Sequence, residues 1–168
     1  MRKFVFILIA LCLFIGISKA QDEKFKALYM YNFTKYLEWP LENIKGDFVI
    51  GVFGTSPIIQ ELMIIAEKKT VSNHPIVVKK LIELDEIAKC HIVFVPENKS
   101  SRIDEIAQKC SAKGILLITE KEGFAKNFAG INYVKVDGKQ NFEINKKNIE
   151  GKGIKVNSTL VTLGIEIK

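Results

Sequence analysis

The sequence predicts an α/β protein: a single three-layer domain whose mostly parallel sheet carries helices on both faces and ends in a C-terminal antiparallel hairpin. Two observations indicate this fold class. Strand-length segments that are apolar on both faces, such as His91–Val95 and Ile115–Thr119, alternate with segments of helical character, as in parallel sheets buried between two helical layers. In the last third of the chain, two alternating segments flank Asp137–Gln140, which is typical of a hairpin.

The first twenty residues have the layout of a secretory signal peptide. Two basic residues precede an apolar run of fourteen residues, and small residues then occupy the two positions that a signal peptidase reads. The run is shorter than the roughly twenty residues that span a bilayer; an uncleaved membrane anchor is the alternative. We therefore expect cleavage between Ala20 and Gln21, export of the protein, and a mature chain that forms one domain over residues 21–168.

The first element of the mature chain is predicted to be a helix over residues 22–38. Aromatic residues recur from Phe25 to Tyr36 at spacings of four, four and three, which indicates an amphipathic helix with an aromatic core face. The helix should end before Pro40, because the residue that precedes a proline is disfavoured in a helix. Core packing is the expected role of these aromatic residues and the favoured role of Trp39, and Asn32 and Trp39 are the candidates for contact with a partner.

The following segments alternate between strand and helix. A compact apolar strand over Asp47–Phe53 ends at Gly54. Thr55 or Ser56 then caps a helix that has Pro57 at its first position. Serine and threonine are favoured at the N-cap, and proline is favoured at the first helical position. The later segments are predicted as strand, short helix, strand, helix, strand, short helix, two hairpin strands, a helical turn and a tail that packs on the core: Ile76–Leu81, Leu84–Lys89, His91–Val95, Ser101–Lys113, Ile115–Thr119, Phe124–Phe128, Asn132–Val136, Asn141–Asn145, Asn145–Glu150 and the residues from Ile154.

The charge of the chain does not indicate a nucleic-acid partner. The 168 residues include 25 basic and 19 acidic side chains, a net charge of +6, and loss of three basic residues with the signal peptide lowers this to +3. The remaining lysines are mixed with acidic residues and form no basic stripe interleaved with aromatic side chains. This distribution favours a solvated lysine-rich surface over nucleic-acid binding.

Two cysteines, Cys90 and Cys110, remain after cleavage. An even number of cysteines in an exported protein predicts a disulfide. Cys90 precedes a strand and Cys110 lies in the last turn of the following helix, so both are expected at the N-terminal edge of the sheet. Two free buried thiols are the main alternative. Redox chemistry would favour a Cys-x-x-Cys motif, and structural zinc would need more closely spaced ligands than this sequence has.

Catalytic and cofactor-binding motifs are missing from the sequence. It has no nucleophile elbow, zinc-protease motif, P-loop or dinucleotide-binding fingerprint, so we predict no catalytic residue, no metal site, no cofactor and no enzyme activity. The best candidate for a ligand site is the turn formed by Gly54, Thr55 and Ser56. It joins the carboxyl end of a strand to a helix N-terminus, where open α/β sheets bind ligands; an ordinary capped helix start is the alternative, and Pro96–Ser101 offers a second such turn.

Two other polar features are interpreted as structural. Glu120 and Glu122 form a carboxylate pair, but nothing in the sequence places them around a substrate, and a solvated loop is expected. His91 precedes a buried strand. That position is typical of a histidine whose ring is satisfied within the fold.

Several segments, in order along the mature chain, resemble one known family. The Asn-Phe…Trp-Pro opening and the Cys-His strand are the most specific of them. The similar segments are Lys26–Pro40, Phe48–Gly54, Cys90–Val95, Phe142–Asn145 and Ile154–Ser158. Together they resemble the YfiR family.

The resemblance implies a periplasmic α/β protein with no established cofactor. Members of that family repress a membrane-bound diguanylate cyclase, the enzyme that makes cyclic di-GMP, through its periplasmic part. An OmpA-type outer-membrane lipoprotein sequesters them, and they form dimers that respond to redox state through disulfides. We therefore expect a periplasmic regulator that acts by protein–protein contact, as a homodimer, on an inner-membrane sensor or the periplasmic domain of a diguanylate cyclase. This sequence has cysteines for only one bridge.

Two further classes of function stay open at this point. One is a periplasmic small-ligand-binding module that serves a sensor or transporter, and the other is an enzyme. A deep pocket with converging polar groups near Ser56 would favour ligand binding. A filled sheet edge with an exposed apolar patch would favour a regulator that binds another protein.

Overall fold

The computed structural model describes residues 21–40, 46–111 and 114–168, so the predicted signal peptide lies outside the described residues. Helices and strands alternate along most of this part of the chain. In chain order the elements are α1 (residues 21–33), β1 (Leu37–Glu38), β2 (Phe48–Phe53), α2 (Ile58–Ala66), β3 (Thr70–Val71), β4 (His74–Leu81), a first 3₁₀ helix (Leu84–Lys89), β5 (Ile92–Val95), a second 3₁₀ helix (Glu97–Arg102), α3 (Ile103–Lys109), β6 (Leu116–Thr119), α4 (Phe124–Asn127), β7 (Ile131–Val136), β8 (Lys139–Ile144), α5 (Lys146–Glu150), β9 (Lys155–Val156), α6 (Ser158–Leu163) and β10 (Ile165–Glu166).

Within the described residues, eight strands form one sheet in the order β10-β8-β7-β6-β5-β2-β4-β3. The five neighbouring strands from β4 to β7 in this order are parallel. β8 pairs antiparallel with β7, β3 pairs antiparallel with β4, and β10 pairs parallel with β8. The predicted fold class is confirmed: the protein is an α/β domain with a mostly parallel sheet and a C-terminal antiparallel hairpin.

The sheet is buried on both faces, as the apolar strands predict. In β5, Ile92 and Phe94 belong to one core, whereas Val93 and Val95 belong to the other. The first core lies under α1, α2, α5 and α6, and the second under the first 3₁₀ helix, α3 and the residues around α4. Because neighbouring residues of one strand pack into different cores, the sequence of the strand is apolar at every position.

The hairpin between β7 and β8 closes with a two-residue turn. Asp137 and Gly138 have φ values of 50° and 73°, and the flanking residues Val136 and Lys139 pair with each other. Positive φ at both central residues defines a type I′ turn, for which Asp-Gly is a favoured sequence. The predicted hairpin is confirmed, with a turn two residues shorter than the predicted Asp137–Gln140.

The first helix ends earlier than predicted. After residue 33 the chain forms a turn with hydrogen bonds between residues three apart. Leu37 and Glu38 then pair antiparallel with Val156 and Lys155, so that β1 and β9 form a separate two-stranded sheet. The helix predicted over residues 22–38 was therefore wrong at its end, because pairing with a distant strand overrides the local helical pattern.

The buried face of α1 also differs from the predicted aromatic stripe. Ala27, Met30 and Phe33 are buried, whereas Phe25 is 43% exposed. A repeated spacing of four drifts around a helix by roughly 40° at each step. The aromatic stripe that begins at Phe25 therefore reaches the buried face only at Phe33. Phe33 also belongs to the buried series Ala27, Met30 and Phe33, which recurs every three residues.

Other element boundaries shift by a few residues. The helix predicted from Pro57 begins at Ile58, and the Oγ atom of Ser56 accepts a hydrogen bond from the backbone N–H of Ile58 at 3.4 Å. Of the segment predicted as one helix over Ser101–Lys113, residues 112 and 113 lie outside the described residues, and the rest contains the end of the second 3₁₀ helix followed by α3. Among the described residues, no helix combines the length and the hydrophobicity that a membrane span requires.

Candidate functional site

A groove of about 1060 Å³ lies at the carboxyl edge of the parallel strands. Its lining includes Glu97, which follows β5, Glu120, which follows β6, and residues of α1 and the hairpin. A smaller pocket of about 440 Å³ adjoins the groove and shares both of these glutamates with it. The larger volume is typical of a small-molecule site, and the location is the edge at which open α/β sheets bind ligands.

The predicted ligand turn forms one wall of the smaller pocket. Thr55 and Ser56 line that pocket, whereas Gly54 does not. The backbone N–H of Gly54 already donates to the carbonyl of Leu81 at 2.8 Å, and Gly54 has a φ of 80°, a conformation that favours glycine. This N–H is therefore engaged in the fold, and the polar groups that converge at this edge come from other residues.

A largely buried ion cluster holds α1 against this edge. The Nζ atom of Lys26 lies 2.5 Å from Glu120 Oε2 and 2.8 Å from Glu23 Oε1. The three side chains are only 12% to 17% exposed. Glu120 Oε1 also accepts a hydrogen bond from the backbone N–H of Glu97 at 2.9 Å. The interpretation of Glu120 as a solvated loop residue was therefore wrong, because α1 covers it with a lysine.

The cluster shifts the pKa of Lys26. Burial lowers the pKa of its ammonium group, but the hydrogen bonds and negative charges of Glu120 and Glu23 raise this pKa by more, and the net direction is upward from 10.5. The ammonium form is therefore fixed across the neutral range.

Strand β7 supplies two further contacts to the first turns of α1. The hydroxyl of Tyr133 donates a hydrogen bond to the backbone carbonyl of Lys26 at 2.6 Å. Tyr133 is fully buried, and burial raises the pKa of its hydroxyl well above the usual value. Lys135 Nζ lies 2.5 Å from Asp22 Oδ2. These contacts fix the wall of the groove that α1 provides.

A buried polar chain fixes another carboxylate of the groove. The hydroxyl of Thr119 donates to Asn132 Oδ1 at 2.6 Å, and Asn132 Nδ2 donates to Glu143 Oε2 at 2.9 Å. Thr119 and Asn132 are completely buried. This hydrogen-bonded series was not predicted from the sequence, although a polar residue in each of two otherwise apolar strands was an available signal.

The groove is strongly acidic although the chain carries a net charge of +6. Among the residues that the structure describes, no group of histidine, cysteine, aspartate or glutamate side chains is placed to hold a metal ion. Carboxylates outnumber lysines by six to two in the lining: Asp22, Glu23, Glu97, Glu120, Glu122 and Glu143 against Lys26 and Lys135. The arrangement can attract and orient a cation, and its polar groups come from α1, the start of the second 3₁₀ helix, the loop after β6 and the hairpin.

A model of the YfiR/HmsC-like family matches residues 23–165 of the chain. The chain belongs to this family. The match runs from α1 into β10 and therefore includes the helix, loops and hairpin that form the groove. No curated protein matches the chain. The YfiR/HmsC-like family is a family of periplasmic regulatory proteins rather than of known enzymes.

In this YfiR/HmsC-like protein, Trp39 is a core residue. It is 6% exposed, its ring packs edge to face on Phe48 at a centroid distance of 5.0 Å, and its Nε1–H donates to the carbonyl of His91 at 3.4 Å. These contacts match the core role that was favoured for Trp39 over contact with a partner, because the ring closes the core beside β2. Asn32 is half-buried, and its Oδ1 accepts a hydrogen bond from Lys35 Nζ at 2.8 Å.

His91 has the structural role that the sequence predicts. Its Nδ1 accepts a hydrogen bond from the backbone N–H of Val49 at 2.9 Å. The ring is buried and stacks on Phe48 at a centroid distance of 4.7 Å. The backbone N–H of His91 donates to the carbonyl of Val49 at 2.9 Å, so this residue joins β2 to the start of β5 twice.

Cys90 and Cys110 are both buried, and both are free thiols. The disulfide predicted from the sequence is therefore not formed in the structure. Both residues pack in the second core, and the Sγ–H of Cys90 donates to the carbonyl of Glu86 at 3.6 Å. Burial raises the pKa of Cys90 to about 11 and that of Cys110 to about 12, which makes the reactive thiolate scarce near neutral pH.

We expect both thiols to resist alkylation in the folded, reduced protein. At neutral pH, iodoacetamide should label Cys90 and Cys110 more than tenfold more slowly in buffer than in concentrated urea, because burial both raises each pKa and blocks access. Intact-mass measurement over time gives the two rates. Fast labelling of the native protein would contradict the burial, and a failure to label even in urea would show that the cysteines are bonded.

Proposed function

We propose that the protein is an exported periplasmic regulator that represses a membrane-bound signalling protein, such as a diguanylate cyclase, by protein–protein contact. The observation that carries this proposal is membership of the YfiR/HmsC-like family across nearly the whole described fold. The periplasmic domain of the cyclase, or of another inner-membrane sensor, is the proposed target. An OmpA-type lipoprotein and a second copy of the chain are further proposed partners.

The surface of α1 supports a contact of this kind. Phe25 and Leu28 are 43% and 39% exposed. Asn32 follows one turn later, so the three side chains share one face of the helix. Exposed neighbouring apolar side chains mark interaction sites more often than scattered ones do. This face, formed by Phe25, Leu28 and Asn32, is called the α1 contact face below, and it replaces Trp39 as the proposed partner surface.

Deletion of the gene tests the proposal. Loss of a repressor of a diguanylate cyclase is expected to raise cyclic di-GMP and surface attachment, and wild-type protein supplied in trans should reverse both. Leu28→Ser should fail to reverse them, because it removes an apolar side chain from the α1 contact face. The matched control is Ile64→Ser on α2, which is similarly exposed at 43% and should complement fully.

Two results would count against the proposal. Unchanged cyclic di-GMP in the deletion strain would eliminate a cyclase as the partner. Equal complementation by Leu28→Ser and Ile64→Ser, with both proteins present at wild-type level, would eliminate the α1 contact face.

A small-ligand-binding module that serves a sensor or transporter is the second candidate. The observation that favours it is the groove of about 1060 Å³, where polar side chains converge at the carboxyl edge of the sheet. Ligand binding and repression are compatible, since a ligand that prefers one state of a regulator shifts its population.

A further inference from the structure

The lysines of the groove are already engaged within the protein. Lys26 pairs with Glu23 and Glu120, and Lys135 pairs with Asp22. Among the described residues, no lysine or arginine forms an ion pair with the other three carboxylates of the lining, which are Glu97, Glu122 and Glu143. The groove therefore keeps a surplus of negative charge, and this surplus is available to a cation from outside.

Two acceptor oxygens in the groove lining lack a donor. Within the described residues, Glu23 Oε2 and Gln140 Oε1 are buried and have no hydrogen-bond partner, and their side chains line the groove from α1 and β8. The Nε2 group of Gln140 donates to the carbonyls of Val134 and Asn141 at 3.1 and 3.0 Å, which fixes the amide with its oxygen unpartnered.

These oxygens favour a ligand that donates hydrogen bonds. A carboxylate or amide oxygen can only accept, and a buried acceptor without a donor is costly. A ligand that carries N–H groups can satisfy Glu23 Oε2 after a turn of the carboxylate, whose terminal torsion is soft, and it can satisfy Gln140 Oε1 in exchange for the two carbonyl contacts that hold the amide. A ligand that only accepts hydrogen bonds would leave both oxygens unsatisfied.

The groove also has an apolar side. Val134, Val136 and Ile165 contribute to its lining, and Val136 and Ile165 are 41% and 40% exposed. Side chains of this kind can cover a short hydrocarbon chain, in the way that a protein surface covers the stem of a lysine while the charged head stays with polar groups.

From these observations we propose that the groove binds an aliphatic amine, a small organic cation with an ammonium or guanidinium group on a hydrocarbon chain. The charged group lies among the surplus carboxylates, its N–H groups satisfy Glu23 and Gln140, and the chain packs on Val136 and Ile165. The proposal adds a ligand class to the second candidate function, and it does not depend on the identity of a membrane partner.

Calorimetric titration of the exported protein with n-hexylammonium tests this ligand class at physiological ionic strength. Hexanol and hexanoate carry the same chain without the cation and serve as matched controls. We expect one saturable site for hexylammonium and at least about tenfold weaker binding of either control. Equal binding of hexanol, or no saturation with hexylammonium at millimolar concentrations, would overturn the proposal.

Variants locate the site. Glu122→Gln and Glu97→Gln should each weaken hexylammonium binding by up to roughly fivefold, since each removes one partly solvated charge next to the cation. The control is Glu67→Gln, an exposed carboxylate beyond the end of α2 and outside the groove lining, which should bind as the wild type does. Thermal melts verify that all three variants fold.

The outcomes of these variants are decisive. An equal loss in Glu67→Gln would show diffuse attraction to the whole surface and would overturn the site. A negative titration combined with raised cyclic di-GMP in the deletion strain would remove the ligand and leave the regulatory function. Saturable binding of hexylammonium combined with unchanged cyclic di-GMP in the deletion strain would support the ligand and eliminate a cyclase as the regulated partner.

Discussion

Replacing Trp39 by alanine is expected to lower the free energy of unfolding by about 3–5 kcal/mol. The ring is 6% exposed and packs against Phe48, so the substitution leaves a large cavity beside β2. It also leaves the carbonyl of His91 without the indole donor. Urea denaturation of the purified variant, followed by circular dichroism, measures the change.

The control for this experiment is Phe25→Ala. Phe25 is also aromatic and lies on the same segment of the chain, but it is 43% exposed, and its removal should change the free energy of unfolding by less than about 1 kcal/mol. If Trp39→Ala instead unfolds at the wild-type urea concentration while the protein no longer co-purifies with its partner, then Trp39 anchors the partner and does not close the core.

Replacing Lys26 by methionine is expected to lower the free energy of unfolding by about 3 kcal/mol near neutral pH. The substitution keeps most of the side-chain volume but leaves Glu23 and Glu120 close together without the ammonium group that lies between them. The effect belongs at the lower end of the range for buried ion pairs, because 12% of the lysine side chain is exposed to water.

The pH dependence of this loss follows from the direction of the Lys26 pKa shift. Burial alone lowers this pKa, but the two glutamates raise it by more, so its folded value lies above 10.5. A raised pKa in the folded state contributes stability that is fully present below the unfolded value and disappears as the pH rises through the folded value. The difference between wild type and Lys26→Met should therefore be constant from neutral pH to about pH 9 and shrink above about pH 10.5.

Lys109→Met provides the matched control for the ion cluster. Lys109 pairs with Asp85 at 2.9 Å, but the two side chains are 50% and 91% exposed. Its loss should cost less than about 1 kcal/mol, because water screens this pair. Equal losses for the two lysine variants would mean that the cluster around Lys26 is no better protected from solvent than the surface pair.

The parts of the fold that were predictable carry a local signal. Phe48–Phe53 is a continuous apolar run, and Asp137-Gly138 is a turn sequence, so β2 and the hairpin could be assigned from neighbouring residues alone. The two-residue strands β1 and β9 have no periodicity to detect. Each strand is defined only by its pairing with the other, which lies more than a hundred residues away in the chain. A pattern of neighbouring residues does not reveal such a pairing.

The candidate site also has one part that the sequence predicts and one part that it does not. The edge on which it lies was predictable, because topology places the carboxyl ends of parallel strands together. The ion cluster was not, since Lys26 and Glu120 are 94 positions apart and each, taken singly, has the pattern of a solvated charge. Core packing of Trp39 was favoured but not fixed by the sequence, for a related reason: a single aromatic residue at the end of a helix has no period from which its direction could be inferred.

The attachment of α1 to β7 has a consequence for the order in which the molecule is assembled. The bond between Tyr133 and Lys26 spans 107 residues, and that between Lys135 and Asp22 spans 113. A chain made from its N-terminus exposes α1, with its apolar side chains, long before the strand that receives it exists. Contacts between such distant residues close late, and folding is correspondingly slow. The first helix therefore lacks its packing partner until the last third of the chain is made, and the groove forms only after β7 and β8 are in place.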